Sequence, residues 1–354
     1  MNHVPVAIVG ASGYSGEELV RLLLNHPRVE LTAVTSRQYA GRTVARVFPR
    51  FASHPAAQTL EFTPPDVQEL AARAEIVFLA LPHGVAAEFA RPLLERGRRI
   101  IDLSADFRLR SAARYREFYG QDHPAPQLLE TAVYGLPEVH RDAIRQARLV
   151  ASPGCYPTSI LLPILPLLRR GLVHPDGIIA DSLSGVSGAG RKAEIGYLFC
   201  ECNESLRAYG IPKHRHLSEI EEQLGIAAGR EVTLQFTPHL VPVNRGILTT
   251  LYLTPTAPAV GTAAASVLDA VTGGLHEAYA REPFVRLLDP GSLPDTKNVI
   301  GTNVLELAWR VDPRTGRLLL LSAEDNLVKG ASGQAVQSLN LMCDFPETTG
   351  LLQP

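Results

Sequence analysis

The chain has only four cysteines in 354 residues, at positions 155, 200, 202 and 343. Four are too few for a disulfide framework at this length, so stability has to come from a packed core. It also lacks a charge bias: Lys plus Arg number 34 against 36 Asp plus Glu, and no block of one sign stands out. That excludes a nucleic-acid track or a membrane-surface helix as the main feature. No run of about 18 apolar residues exists to cross a bilayer. Met1-Asn2-His3-Val4-Pro5 shows no basic n-region and no h-region, so no signal peptide is expected and the cytoplasm is. Internal repeats and low-complexity segments are missing too. What remains, 45% hydrophobic and 20% charged, suits about two globular domains.

Val6-Ala7-Ile8-Val9 is a continuous apolar run, the pattern of a strand buried on both faces. It leads into Gly10-Ala11-Ser12-Gly13-Tyr14-Ser15-Gly16, and Glu17 to Asn25 then carries apolar residues at helical spacing. Glycines allow a tight turn and let the backbone approach a pyrophosphate at a helix N-terminus. The spacing is G-x-x-G-x-x-G rather than the stricter G-x-G-x-x-G, and a plain βα turn is the alternative. The second strand, Val29 to Thr35, ends without a carboxylate and is followed by Ser36 and Arg37. A carboxylate there would repel a 2′-phosphate, whereas Ser36 and Arg37 can bind one, which predicts NADP(H) rather than NAD. For Arg37 a solvated surface arginine is the alternative. Strands over Glu75 to Leu81 and Arg99 to Leu103 flank a helix over Val85 to Arg96. Pro82-His83-Gly84 and Ser104-Ala105-Asp106-Phe107-Arg108 then fall at strand ends, where ligands sit in such sheets. Pro82 and His83 read as cofactor lining. The whole is an α/β pattern with an N-terminal Rossmann dinucleotide-binding domain.

Ser152-Pro153-Gly154-Cys155-Tyr156-Pro157-Thr158 closes the apolar run Leu149-Val150-Ala151 and opens an apolar segment from Ser159 to Leu168. Strand, tight turn and helix follow, with Cys155 in the first helical turn. Unpaired N–H groups and partial positive charge there ease loss of the thiol proton, and the thiolate is the nucleophile. A small buried hydrophobe is the alternative. Pro163 and Pro166 predict a kinked or shortened helix. A thiolate beside a nicotinamide can hold an acyl group as a thioester while hydride is transferred at the carbonyl carbon, the chemistry that links an acyl phosphate to an aldehyde. Such a site needs an arginine for the phosphate, and Arg108 is the candidate.

Beyond Cys155 a strand over Asp176 to Leu183 enters the glycine-rich segment Ser184 to Lys192. Runs over Glu231 to Val243, Gly246 to Thr254, and Val304 to Val311 with Arg317 to Ser322 look antiparallel, the last pair joined by Asp312-Pro313-Arg314-Thr315-Gly316. This predicts an α+β domain with a mixed or antiparallel sheet, catalytic and oligomerising, beside the Rossmann domain. The expected boundaries are 1–154, 155–327, and 328–354, whose helix at about Ser332 to Cys343 returns to the first domain. Strands able to pair across subunits point to a homodimer or homotetramer.

His214-Arg215-His216 with Glu219 is the other chemical cluster. A thiolate enzyme needs an acid or base near neutral pKa, and Glu219 is one helical turn from His216, able to orient it. A solvated basic turn is the alternative. Cys200 and Cys202 with His214 and His216 do not have the usual zinc spacing, and no metal is expected. A protein that only senses the cofactor ratio would show no reactive thiol at Cys155. Ser187, Arg191 and Tyr209 are candidate substrate contacts.

In order along nearly the whole chain, Val9 to Tyr14, Leu79 to Gly84, Asp102 to Arg108, Pro153 to Thr158, Ser184 to Gly190, Lys213 to His216 and Asp325 to Ala331 resemble the N-acetyl-γ-glutamyl-phosphate reductases. These are enzymes of arginine biosynthesis related to the aspartate-semialdehyde dehydrogenases. The resemblance implies Cys155 as the nucleophile, His216 as acid/base with His214 and Glu219 in support, and Arg108 holding phosphate. It also implies that Gly10 to Gly16, Ser36 and Arg37 hold NADPH, with Asn326 at the nicotinamide side. The residues themselves leave His214 and His216 both open as proton carrier. A related group acts on aminoadipyl or glutamyl phosphate bound to a carrier protein, with Gly-Cys-Asn at the nucleophile. Tyr156-Pro157-Thr158 favours the free acetylated substrate.

Overall fold

Val6, Ala7, Ile8 and Val9 are fully buried, as are Ile76 to Leu79, and the two segments lie side by side as parallel strands. That pairing explains their unbroken apolar character: a strand covered by helices on both faces has no polar side. The computed structural model describes residues 3–352. By its internal contacts the chain divides into two units, one holding residues up to Pro153 and from Ala331 onward, the other Gly154–Gly330.

In the first unit, β1 (Val4–Val9), β2 (Val29–Thr35), β3 (Phe62–Thr63), β4 (Ile76–Leu79), β5 (Arg99–Asp102), β6 (Val133–Tyr134) and β7 (Leu149–Ala151) form one sheet in the order β3-β2-β1-β4-β5-β7-β6. Every neighbouring pair is parallel. The connections carry α1 (Tyr14–Leu24), α2 (Val44–Val47), α3 (Pro55–Thr59), α4 (Val67–Arg73), α5 (Ala86–Glu95), α6 (Ala112–Tyr119) and α7 (Pro137–Gln146). Strand order reverses between β1 and β4, which opens a crevice at their carboxyl ends. Helix α1 begins at Tyr14, earlier than the apolar spacing from Glu17 suggests, so Tyr14, Ser15 and Gly16 form its first turn rather than a loop.

The second unit contains α8 (Cys155–Arg169), β8 (Ile178–Gly185), α9 (Phe199–Cys202), β9 (Arg207–Ala208), α10 (Leu217–Ala228), β10 (Leu234–Val241), β11 (Ile247–Leu253), α11 (Ala263–Tyr279), β12 (Val285–Leu287), β13 (Leu305–Asp312) and β14 (Arg317–Glu324). Its sheet runs β12-β13-β14-β11-β8-β10-β9. The pairs β13–β14, β14–β11 and β11–β8 are antiparallel, but β10 lies parallel to β8 and β12 parallel to β13. The sheet is mixed, as expected: the run over Glu231 to Val243 supplies β10, which is antiparallel to β9 and parallel to β8. The chain between β8 and β10 passes through α9, β9 and α10, a crossover long enough to bring β10 back in the same direction. The final helix, α12 (Gly333–Met342), packs within the first unit, where Asn340 Oδ1 and His26 Nε2 are 2.9 Å apart in its interior.

Pro163 and Pro166 do not shorten α8, which continues from Cys155 to Arg169. Proline at position i leaves the carbonyl of i−4 without its helical N–H. Both orphaned carbonyls are met by side chains: Ser159 O accepts from Ser322 Oγ at 2.7 Å, and Leu162 O accepts from Tyr279 OH at 2.5 Å. The prolines thus turn two helix carbonyls outward, toward β14 and α11. A largely buried helix gains two specific tethers where an unbroken hydrogen-bond ladder would offer none.

Candidate active site

In the first unit the glycine-rich loop is shaped by close backbone approach. Gly10 has φ +84°, and a Cβ there would stand 2.4 Å from Ala80 O. A Cβ on Gly16 would stand 2.5 Å from Gly10 O, so the first turn of α1 packs directly on the loop. Gly13 is the N-cap and supplies no side-chain cap, which leaves the amino end of α1 to a ligand or to water. The loop is laced to the end of β2: Gly10 N donates to Thr35 Oγ1 at 3.2 Å, Ala11 N to Thr35 O at 3.0 Å, and Ser12 Oγ lies 3.0 Å from Ser36 Oγ. Arg37 follows, exposed. A cradle no side chain can fill, an uncapped helix end, and a serine pair with an arginine in place of a carboxylate fit the phosphates of a dinucleotide.

Pro82 and His83 are exposed at the end of β4, with the His83 ring 5.5 Å from that of Tyr119. Gly84 N donates to Asp106 Oδ1 at 2.6 Å, Ala87 N to Asp106 Oδ2 at 3.3 Å, and Tyr115 OH to Asp106 Oδ1 at 3.0 Å. His123 Nε2 is 2.6 Å from the Asp106 carbonyl. A buried carboxylate at the amino end of α5 therefore sets the Pro82-His83-Gly84 loop. In the sequence Asp106 stands only as part of a strand-end segment with no role of its own, and Tyr115 and His123 carry no signal, because nothing in their spacing announces a common contact. Asp102, fully buried, is pushed up to about 7, by burial first and then by the charge of Asp106. Arg108 is almost fully buried; its Nε donates to Ser152 O at 2.8 Å and its Nη2 to Leu103 O at 2.9 Å. The guanidinium is thereby fixed at the ends of β5 and β7.

In the second unit, Cys155 is the first residue of α8, behind the N-cap Gly154, which offers no side-chain cap. Gly154 N donates to Glu219 Oε2 at 3.2 Å, and Glu219 is only 1% exposed. The carboxylate thus holds the residue before the cysteine. Tyr156 OH and Tyr209 OH are 2.9 Å apart, and Tyr156 OH reaches His239 O at 3.4 Å. Burial pushes both phenols up, and the nearby Cys155 charge adds to it.

His214 sits within this aromatic wall, its ring 4.9 Å from that of His216, 5.5 Å from Tyr209 and 5.6 Å from Tyr156. A Cβ on Gly210, at φ +64°, would stand 2.9 Å from His214 Cδ2, so the turn is cut to fit the ring. His214 Nδ1 accepts from His216 N at 3.1 Å. Burial, and then the charge of Arg215, pushes His214 down to about 4, so it is neutral at physiological pH. His216 is the N-cap of α10.

Asn326 is 2% exposed, and both ends of its amide are engaged: Oδ1 accepts from Gly246 N at 2.8 Å and Nδ2 donates to Ser187 Oγ at 2.9 Å. It ties the Ser187 loop to the start of β11. Arg191 is exposed on the segment beyond that loop. Cys202 Sγ is 3.1 Å from Gly196 O, and among the described residues no group of three or more His, Cys, Asp or Glu is placed to hold a metal.

Comparison with known proteins extends this picture. Residues 5–147 match the family model "Semialdehyde dehydrogenase, NAD binding domain" and residues 155–326 match "Semialdehyde dehydrogenase, dimerisation domain". The fold is that of solved aspartate-semialdehyde dehydrogenases. Enzyme II from Vibrio cholerae aligns with TM-score 0.72 at 19% identity, covering 97% of this chain and 99% of that one. The Candida albicans enzyme, solved with NADP, aligns with TM-score 0.69 at 16% identity, covering 96% and 98%. The class is therefore that of the semialdehyde dehydrogenases. Among curated relatives, the N-acetyl-γ-glutamyl-phosphate reductase of Akkermansia muciniphila is 59% identical over 99% of both chains, and that of Moorella thermoacetica 51% identical over 99% of both. The chain belongs to the N-acetyl-γ-glutamyl-phosphate reductase family.

Proposed function

We propose that this chain reduces N-acetyl-L-glutamyl 5-phosphate to N-acetyl-L-glutamate 5-semialdehyde and phosphate with NADPH, through a thioester on Cys155, in arginine biosynthesis. The observation that carries the mechanism is Cys155 at the uncapped first turn of α8, with Gly154 held by Glu219 and with His214 and His216 ringed about Tyr156. The helix end favours the thiolate. Its sulfur attacks the acyl carbon, the carbon–oxygen bond to phosphate breaks, and phosphate leaves with the electron pair. NADPH supplies the hydride that reduces the thioester. Backbone N–H groups at the start of α8 stabilise the oxyanion that forms, and its collapse releases the aldehyde and returns the thiolate.

His216 is the proton carrier in this account, giving a proton to the oxyanion as the hydride arrives and taking it back as the aldehyde forms. His214, neutral and committed through Nδ1 to the His216 amide, positions it. Arg108, immobilised by two backbone carbonyls, holds the phosphate, and Ser187 and Arg191 serve the rest of the substrate. Gly10 to Gly16, Ser36, Arg37, Pro82 and His83 hold the dinucleotide. Asn326, spent on Gly246 and Ser187, acts on the cofactor side by shaping the Ser187 loop.

Residues 1–154 form the cofactor domain, residues 155–327 the catalytic and dimerisation domain, and 328–354 return to the first. The division of contacts at Pro153 and Gly330 supports that assignment. The enzyme works as a homodimer or homotetramer through its second sheet, whose outer face shows Ile179 and Tyr252, each 38% exposed. No helix among the described residues is long and apolar enough to cross a membrane. We place the enzyme in the cytoplasm, where a catalytic thiol stays reduced.

The test is the reverse assay. Protein is mixed with N-acetylglutamate 5-semialdehyde, phosphate and either NADP or NAD, and reduced-cofactor absorbance is followed, with Cys155→Ser in parallel. A phosphate-dependent rise, larger with NADP and lost in the variant, is expected. No rise with either cofactor contradicts the substrate assignment, and a rise retained in Cys155→Ser contradicts the thioester.

A further inference from the structure

Gly330 brings together two residues that no motif links. A Cβ on Gly330 would stand 2.7 Å from Cys155 Cβ, 3.1 Å from Cys155 Cα and 2.8 Å from Glu324 Oε1. The cysteine and the carboxylate therefore press on the same backbone atom, and no side chain fits between them. Gly330 does not occupy the left-handed region, so lack of space, not conformation, demands glycine there. Its position is fixed locally. Gly330 N donates to Asp325 O at 2.9 Å, while Asp325 Oδ1 accepts from Leu327 N at 2.8 Å and Oδ2 from Gly301 N at 2.7 Å. Residues Val328–Ser332 form a π-helical turn, a local irregularity that concentrates at functional sites. Glu324 ends β14, pairs with Ile247 of β11, and is fully buried.

We propose that Glu324 is a positioning residue for the nucleophile: across Gly330, its buried carboxylate opposes the positive end of α8 and sets how readily the Cys155 thiol ionises. The inference rests on the reading of Cys155 as a thiolate nucleophile. A helix N-terminus alone drives a thiol toward ionisation, but a thiolate of very low pKa is a poor nucleophile. A negative charge close by pulls the other way. Together they hold the sulfur near the working pH, ionised enough to attack and basic enough to bond.

Other ionisable groups around this end of α8 come from several elements, and β10 brings His239, whose carbonyl accepts from Tyr156 OH at 3.4 Å. Tyr156 is on α8 itself, and Tyr209, His214, His216 and Glu219 come from the segment entering α10. Arg245 and Asp325 pair at 3.4 Å, and Lys329 is fully buried with Nζ 5.7 Å from the centre of the Phe284 ring. Strand β11 contributes the uncharged Ile247 and Thr249. Glu324→Gln changes the charge on one side of Gly330 and leaves all of these in place.

The experiment is the rate of iodoacetamide alkylation of full-length protein between pH 5 and 9, with peptide mapping to separate Cys155 from Cys200, Cys202 and Cys343. In Glu324→Gln the Cys155 profile moves acidward, making alkylation at pH 6 about tenfold faster than in wild type. An unmoved profile, or one moved to higher pH, overturns the proposal while leaving the thioester reading intact. Should the glutamine variant fail to fold, Glu324→Asp, which withdraws the charge by one carbon, is read alike: a smaller acidward shift supports the proposal and none contradicts it. If wild-type Cys155 labels no faster than Cys343, the thioester reading fails, and this inference fails with it.

Discussion

The backbone amide of Gly154 donates to the carboxylate of Glu219 at 3.2 Å, across 65 residues of sequence and inside the protein. The contact joins the N-cap of α8 to the first turn of α10, so Cys155 and His216 are held at two helix starts clamped to each other. A helix start carries spare N–H groups and partial positive charge, which favour a carboxylate there.

The first prediction concerns that clamp. Glu219→Gln keeps an acceptor and loses the charge, which roughly halves the strength of such a bond. Turnover should fall about tenfold with little change in KM, because the defect lies in placing the sulfur and not in binding. Glu219→Ala strands a buried N–H as well and should lower stability by about 1–3 kcal/mol in urea unfolding. Wild-type turnover and stability in the alanine variant would remove Glu219 from the account.

The histidines should separate by pH. His214 is held at about 4 in the fold against 6.5 unfolded, chiefly by burial. Between those values the unfolded chain binds the extra proton. The stabilisation is therefore full above about pH 6.5 and is lost as pH falls toward 4, by at most about 3 kcal/mol. His214→Asn offers an oxygen where Nδ1 accepts from His216 N, so it should flatten that acid limb and cost about tenfold in rate. His216→Asn should cost about 10²–10⁴-fold and leave the limb in place. The opposite ranking of rates would make His214 the proton carrier.

Pro166 and Tyr279 should be coupled. Tyr279→Phe leaves Leu162 O buried without its phenol and should cost about 1–3 kcal/mol. With Pro166→Ala in place the helix can supply its own N–H, and the same change should then cost under about 1 kcal/mol. A double-mutant cycle in urea reads the difference, and equal costs in both backgrounds would show that the phenol does not replace the missing helix bond.

How much of this was legible in the sequence depends on the range of the physics involved. The Gly10 to Gly16 loop and the start of α8 at Cys155 are local events, where glycine spacing and a strand-to-helix transition leave a direct trace. Ser12 meeting Ser36 follows from the parallel pairing of β1 with β2, itself readable from two apolar runs. The Glu219–Gly154 bond, the Asp106 cluster and the approach of Glu324 to Cys155 across Gly330 are products of tertiary packing, and no spacing rule announces them. The two directions of pairing at β10, parallel to β8 and antiparallel to β9, leave no trace in the sequence, because side-chain alternation is the same in both. Pro163 and Pro166 do not shorten α8 because the carbonyls they free are met by Ser322 and Tyr279, partners that no local rule announces.

The central claim is the covalent one, and withholding the cofactor isolates it. Full-length protein is mixed with N-acetyl-L-glutamyl 5-phosphate without NADPH, quenched in acid, and weighed by intact-mass spectrometry while released phosphate is counted. The account predicts one acyl group per chain on the Cys155 peptide, one phosphate released with it, and neither in Cys155→Ala. Turnover on later addition of NADPH, with no acyl adduct and no early phosphate, would contradict it.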